Sequence, residues 1–423
     1  MARKDPYQYP QLRWPIEIRL DKIGSQEGLI ITCPLGIAKQ ALVLAPAVTP
    51  IVAAMRGDLS VDEIVAKFAG AGLERSVIEK LVALLDENLF LATPRFEAAE
   101  KEARREFREA RVRPPALAGS AYPASAPALR AQIEGYLQQM NSIAGPLSSE
   151  EGQELLALIA PHIDYRRGSA TYAITYNRLK GHSHDLFILI GTGHQYSQSL
   201  FHLTVKDFAT PLGVMRCDAP FVSRLAELYG TERSFEGEFL HKREHSLELQ
   251  LPFLQILNER ACLVPILVGS FHNILRSQTS PRSFEEYESF ASALTRCIQE
   301  RRLSGQKICF IAAVDMAHVG RTYGDQDSLT SQRMEEIAKL DRSYLEAIVR
   351  NDAEMLFRHI AQDGDARRIC GFPIVYTLLD VLSRLRLDLK AMIFDYRQAV
   401  DYSTDCGVTF AGAGIYSIAV PNK

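Results

Sequence analysis

The sequence predicts an α/β protein: a mainly parallel or mixed sheet covered by helices on both faces, preceded by a small α+β domain. Three observations carry this. From Gly119 onward, apolar runs such as "LLALIA", "LFILIG", "CLVPILVG", "KICFIAAV" and "VTFAGAGIYSIAV" alternate with amphipathic segments. The runs are apolar at every position, as strands buried on both faces must be. The intervening stretches "ALRAQIEGYLQQM", "FVSRLAELYG", "FEEYESFASALTRCIQE" and "GFPIVYTLLDVLSRL" space their apolar residues as helices do.

The elements divide into two domains, a reasonable number for 423 residues. Residues 1–93 form the small one. "IEIRLDKIGSQEGLIITCP" predicts short strands about a turn at Gly24 and Ser25. The next fifty residues predict three helices. Ser60 is placed to cap one of them, with Glu63 at the capping-box position. Ile64, Phe68, Ile78, Leu81 and Leu85 recur at helical spacing, and "ENLFLAT" suits a wing or closing strand. Residues 94–115 are a charged helical linker, expected to be solvated and stopped by Pro114 and Pro115. Residues 116–423 make up the α/β domain.

Composition narrows the function. A net charge of −3 and a pI near 6.4 give no footprint for nucleic acid or an anionic membrane surface. The longest apolar stretch, from Ala41 to Met55, is broken by Pro46 and Pro50 and is too short to span a bilayer. "MARKDPYQYPQLRWP" lacks the apolar core of a signal peptide. Seven scattered cysteines do not resemble a disulfide framework. A cytoplasmic protein is expected.

The chemistry gathers at strand ends. "LALIAPHIDY" runs into His162, "LFILIGTGHQY" into His194, and "KICFIAAVDMAHVG" through Asp315 into His318. Ligands of open α/β sheets bind beyond the carboxyl ends of the strands, so these distant histidines are candidates to meet. One histidine after a strand is more often a cap or core residue; three in equivalent places point to a metal site. Gly191 and Gly193 permit close backbone approach beside His194. Asp315 is placed to orient an imidazole or tune its pKa. "HKREHSLELQLPFLQ" sets Glu244 and His245 at a helix start, either in the same cleft or as capping and surface groups. Cys370, in "RRICGFPIVYTLL", precedes an apolar helix; a thiolate there is available to a metal, whereas a buried thiol is inert. His182, His184, His202, His241, His272 and His359 lack a comparable setting and read as surface or structural residues.

Residues 116–420 resemble the Memo family, whose fold is similar to the class III extradiol (non-haem iron) dioxygenases. The motifs are "LAGSAYPASAPALRAQI", "IAPHIDYRRGSATYAITY", "ILIGTGHQY", "FATPLGVMRCD", "EHSLELQLPFLQ", "VPILVG", "AAVDMAHVG" and "ICGFPI", in the family's order. The resemblance implies a metal site of His162, His194 and Cys370. His318 takes the acid/base position of the dioxygenase-like site, with Asp315 and His245 in the same pocket. Iron is the expected metal, with copper and zinc as alternatives because a thiolate replaces the dioxygenase carboxylate. Ile163 and Asp164 stand where the family often has glycine. Gln195 stands where a second histidine is common, so the pocket rim departs from the family while the ligand positions are kept. Residues 1–93 resemble the winged-helix peptide-recognition domains of the pyrroloquinoline-quinone peptide chaperone type, on "MRGDLSVDEIVAKF" and "VIEKLVALLDENLFL". Family company implies a radical SAM enzyme, an AMMECR-like protein or a peptide as partner.

Three functions follow as expectations. One is a metal-dependent, dioxygenase-like oxidoreductase acting on an aromatic or peptide substrate, within a radical-SAM-associated modification system. Another is a non-catalytic adaptor that keeps the cleft. The last is an enzyme with Cys370 as nucleophile and His162 or His194 as its base.

Overall fold

The structure, a computed structural model, describes residues 4–24, 26–144 and 153–418. Its internal contacts divide the chain between Ala110 and Arg111.

In the first unit β1 (Glu17–Ile23), β2 (Gln26–Thr32) and β3 (Leu42–Leu44) make an antiparallel sheet in that order. Gly24 turns the first hairpin at φ +64°; Ser25, the other predicted turn residue, lies outside the described residues. Helices α1 (Thr49–Ala54), α2 (Val61–Lys67) and α3 (Arg75–Glu87) follow. The capping box at α2 is present: Glu63 N–H donates to Ser60 Oγ, and Ser60 N–H to the Glu63 carboxylate. Ile64, Ile78, Leu81 and Leu85 are buried, and Leu91 bridges antiparallel to Leu12. The charged segment forms α4 (Pro94–Glu109) within this unit, and it is not solvated all round: Phe96 and Phe107 are buried.

The second unit begins with β4 (Val112–Arg113), α5 (Ala126–Ala144), β5 (Glu154–Ala160) and α6 (Tyr165–Tyr176). Next come β6 (Leu186–Thr192), β7 (Phe201–Leu203), β8 (Asp207–Thr210), β9 (Gly213–Met215), α7 (Ala219–Tyr229) and α8 (Thr231–Glu236). They are followed by α9 (His245–Glu248), α10 (Leu251–Leu257), β10 (Cys262–Val268), α11 (His272–Ser277) and α12 (Glu285–Leu303). The chain closes with β11 (Ile308–Ala313), β12 (His318–Val319), α13 (Ser331–Val349), α14 (Ala353–Ala361), α15 (Phe372–Arg384), β13 (Leu389–Asp401) and β14 (Cys406–Ser417). The end of the predicted last strand, Ala419 and Val420, is outside the described residues.

The sheet runs β12-β14-β5-β11-β6-β10-β7, with β13 alongside β14. The four central strands β5, β11, β6 and β10 are parallel, and the flanking strands antiparallel, so the sheet is mixed. Side chains alternate between two cores, as the strand period of two requires. Leu186, Ile188 and Ile190 face α7, α12 and α15; Phe187 and Leu189 face α5, α6 and α10. Both faces are covered, which is why the runs are apolar throughout. No helix among the described residues is long and apolar enough to cross a membrane.

The order of the central strands positions the site. β11 lies between β5 and β6, with Ala313 opposite both Ala160 and Gly191. His162, Asp315 and His194 each follow within three residues of that level, so all emerge at one edge.

Candidate metal centre

His162, His194 and His245 converge, with ligand atoms all within 4.8 Å of one another. The rings of His194 and His245 are nearly parallel at 4.5 Å, and His162 stands edge-on to both, at 5.1 and 5.3 Å.

Two of the three imidazoles are hydrogen-bonded through one nitrogen, and the third lies beside a carboxylate. His162 Nδ1–H donates to the Ala313 carbonyl (2.9 Å), leaving Nε2 toward the site. Its own N–H and that of Ile163 donate to Asp315 Oδ1 (3.0 and 3.2 Å), so Asp315 locks the strand end. His194 Nδ1–H donates to Glu244 Oε1 (2.9 Å), and its backbone N–H to Oε2 (3.1 Å). Glu244 also lies 3.2 Å from His245 Nδ1 and accepts from Ser246 N–H, capping α9. The bonds at Nδ1 of His162 and His194 fix their tautomers and aim Nε2, as in metal-ligating histidines. The residues therefore fit a transition metal.

Cys370 Sγ lies 3.3 Å from His162 Nε2, on the side away from Ala313. Burial would keep this thiol protonated, but His162 and His318, with hydrogen bonds from His162 and His194, hold its pKa well below the thiol value. Burial likewise opposes charge on His162, yet the Cys370 thiolate and Asp315 raise its pKa to about 9. His194 is raised against burial chiefly by Glu244, whose own pKa is depressed against burial by His194. Burial outweighs Glu244 at His245, where the pKa falls to about 4, so this imidazole is neutral and its lone pair free for a metal.

Two glycines make the convergence possible. A Cβ on Gly191 would come within 2.5 Å of Ser246 Oγ and 2.6 Å of Leu247 Cδ2, so α9 can rest on β6 only over a glycine. A Cβ on Gly371 would meet Val314 Cβ at 2.5 Å, so the Cys370 segment crosses the end of β11 in the same way.

Of the residues singled out in the sequence, His162, His194, Cys370 and Asp315 are thus adjacent. His245, expected to line the pocket, stands with the two strand-end histidines as a third imidazole. His318 is set back. Its Nδ1–H faces the carbonyls of Met316 (3.1 Å) and Arg368 (3.2 Å), and its ring meets Tyr323 edge-on at 5.0 Å. His184, His202 and His241 are buried in the structural parts of the domain. A cleft of about 250 Å³ opens on His194 and Cys370, bordered by Thr192, Ser270, His272 and Asp365. Glu244, one of the two residues the sequence sets at this helix start, is both the cap of α9 and the partner of His194.

The family described as Memo-like protein matches residues 113–414. A MEMO1 family protein of Aquifex aeolicus is 26% identical over 390 residues, covering 92% of this chain and 96% of the relative. That match extends into the first unit. The MEMO1 family protein TTHA0924 of Thermus thermophilus is 29% identical over 339 residues, 78% of this chain and 94% of the relative. The MEMO1 family protein TK1477 of Thermococcus kodakarensis is 28% identical over 313 residues, 71% and 98% respectively.

Proposed function

The chain belongs to the Memo-like protein family, and from that premise we propose that it is a metal-dependent oxidoreductase whose ion is iron. The observation that carries this reading is the convergence of His162, His194 and His245, the first two hydrogen-bonded through Nδ1 and the third beside the Glu244 carboxylate. These three imidazoles would hold the ion, and Cys370 would add its thiolate. Bound iron would supply the redox chemistry, and a set containing sulfur also suits copper or zinc. The chain's own groups do the rest. Glu244 orients His194, and Asp315 holds the backbone of His162. The two carbonyls that take Nδ1–H of His318 leave its Nε2 to hold or accept a proton. The cleft beside His194 and Cys370 admits a small group such as a single aromatic ring.

The Cys370–His162 contact favours a second reading, a cysteine nucleophile with His162 as its base. Metal content of the full chain purified without oxygen separates the two. Near-stoichiometric iron, lost in His194→Ala, supports the first; absence of metal even after anaerobic loading rejects it.

The first unit is proposed to recruit a peptide or partner protein, with a radical SAM enzyme or an AMMECR-like protein as the candidates. Its edge strand supports this. Ile18 and Leu20 on β1 pair with the buried Ile31 and Leu29 yet are themselves 42% and 52% exposed.

A further inference from the structure

Arg113, at the end of β4, has no solvent exposure. A buried guanidinium must have its charge and its donors satisfied, and three of its four bonded partners lie on one segment, 241–248. Nε–H donates to the His241 carbonyl (2.7 Å), and Nη2–H to the Glu244 carbonyl (3.0 Å). Nη1–H donates to the Glu248 carboxylate and to the Pro114 carbonyl (3.3 Å). Glu248 is equally buried, and its remaining capacity is taken by the N–H groups of Ala116 (3.0 Å) and Leu117 (2.9 Å) and by the Tyr122 hydroxyl. The ring of Phe208 lies 5.3 Å from the guanidinium carbon.

Between the anchors at His241 and Glu248 stand Glu244 and His245. Glu244 is gripped from both sides. Arg113 takes its carbonyl, while its carboxylate meets His194, His245 and Ser246 N–H. We infer that Arg113 is the positioning residue of the metal centre, its planar fork fixing the 241–248 segment so that Glu244 and His245 meet His194. It acts through Glu244 and touches none of the three imidazoles. A lysine would keep the buried charge but offers one nitrogen in place of the fork, so it cannot reach the His241 carbonyl, the Glu244 carbonyl and Glu248 together.

The inference rests on the metal reading of the site, and its test separates the two. Cobalt(II) is titrated into the full-length protein, into Arg113→Lys, and into Leu294→Ala, which removes a buried side chain of α12, a helix that carries none of the site residues. Arg113→Lys is expected to raise the cobalt Kd about tenfold or more and to change the visible spectrum. Leu294→Ala, though less stable to heat, should change neither. Wild-type affinity and spectrum in Arg113→Lys would overturn the inference. If the wild-type protein takes up no cobalt, the metal reading fails, and the inference is decided on metal-free protein by the imidazole ¹⁵N signals of His194, which report its bond to Glu244. Signals moved in Arg113→Lys but not in Leu294→Ala support it, and unmoved signals overturn it. Should Arg113→Lys not fold, Glu248→Gln, which removes the countercharge and keeps the shape, is read the same way.

Discussion

Cys370 Sγ lies 3.3 Å from Nε2 of His162, and each group favours the charged form of the other. In metal-free protein the Cys370 thiol is therefore shifted toward the thiolate, and iodoacetamide should alkylate it first. Burial raises the pKa of Cys217, Cys297 and Cys309, so these should lag. One equivalent of zinc should protect Cys370 if the thiolate joins the imidazoles around the ion. Peptide mass mapping with and without zinc reads the outcome. Equal labelling in both samples would remove Cys370 from the ligand set and strengthen the nucleophile reading.

Gly191 and Gly193 flank Thr192 but should differ sharply in tolerance. A methyl group at 191 overlaps Ser246 and Leu247, whereas one at 193 has the Val268 carbonyl as its nearest neighbour, at 3.4 Å. Gly191→Ala should cost about 1–3 kcal/mol, the usual range for overpacking. It should also weaken metal binding, because α9 carries His245. Gly193→Ala should stay near wild type in both. Urea unfolding and metal titration of the two variants check this, and equal behaviour would mean that the closeness of α9 to β6 is not what holds the site together.

That contrast indicates what the sequence could disclose. Apolar runs are set by burial on both faces, so β5, β6, β10 and β11 were legible, and with them the strand-end histidines His162 and His194. The strand order was not. Only hydrogen-bond register places β11 between β5 and β6 and levels Asp315 with His162. His245 was legible as a residue at a helix start, but its place beside His194 depends on Gly191, against which Ser246 and Leu247 pack, and on Glu244, whose carboxylate lies 3.2 Å from its Nδ1. Arg113 gave no signal at all. It closes a charged run, and its partners lie some 130 residues away. The charged helix is exposed along most of its length, as its composition predicts, and two phenylalanines suffice to bury one stripe of it.

The exposed apolar pair on β1 predicts how a partner is engaged. Ile18 and Leu20 continue the apolar face of Ile31 and Leu29 beyond the part that is covered. Among the described residues, the far edge of β1 pairs with no other strand. An extended peptide adding to that edge would gain main-chain hydrogen bonds and cover both side chains. If the first unit recruits the proposed radical SAM enzyme or AMMECR-like protein, the double variant Ile18→Lys, Leu20→Lys in the full chain should lose the binding that calorimetry measures for the parent, with metal content unchanged. Undiminished binding would place the partner site elsewhere.

Two buried imidazoles predict the acid response of the fold. His202 and His241 are essentially without solvent contact, and burial lowers their pKa values to about 4 and about 3. The folded protein therefore keeps both neutral, while the unfolded chain protonates each below about 6.5. Their contribution is complete above that value and is lost as pH falls toward the folded values. Each should cost about 1.4 kcal/mol per pH unit in that range. His245, lowered to about 4, adds in the same sense. His162 and His194 are raised, so below 6.5 they are protonated in both states and add no slope. Between pH 6.5 and 5, before most carboxylates titrate, metal-free protein should thus lose stability steadily in urea unfolding. His202→Gln, whatever its effect at pH 7, should flatten the profile by about one imidazole's share. An unchanged slope in that variant would mean that His202 is protonated inside the fold, and its surroundings would then have to supply an anionic partner.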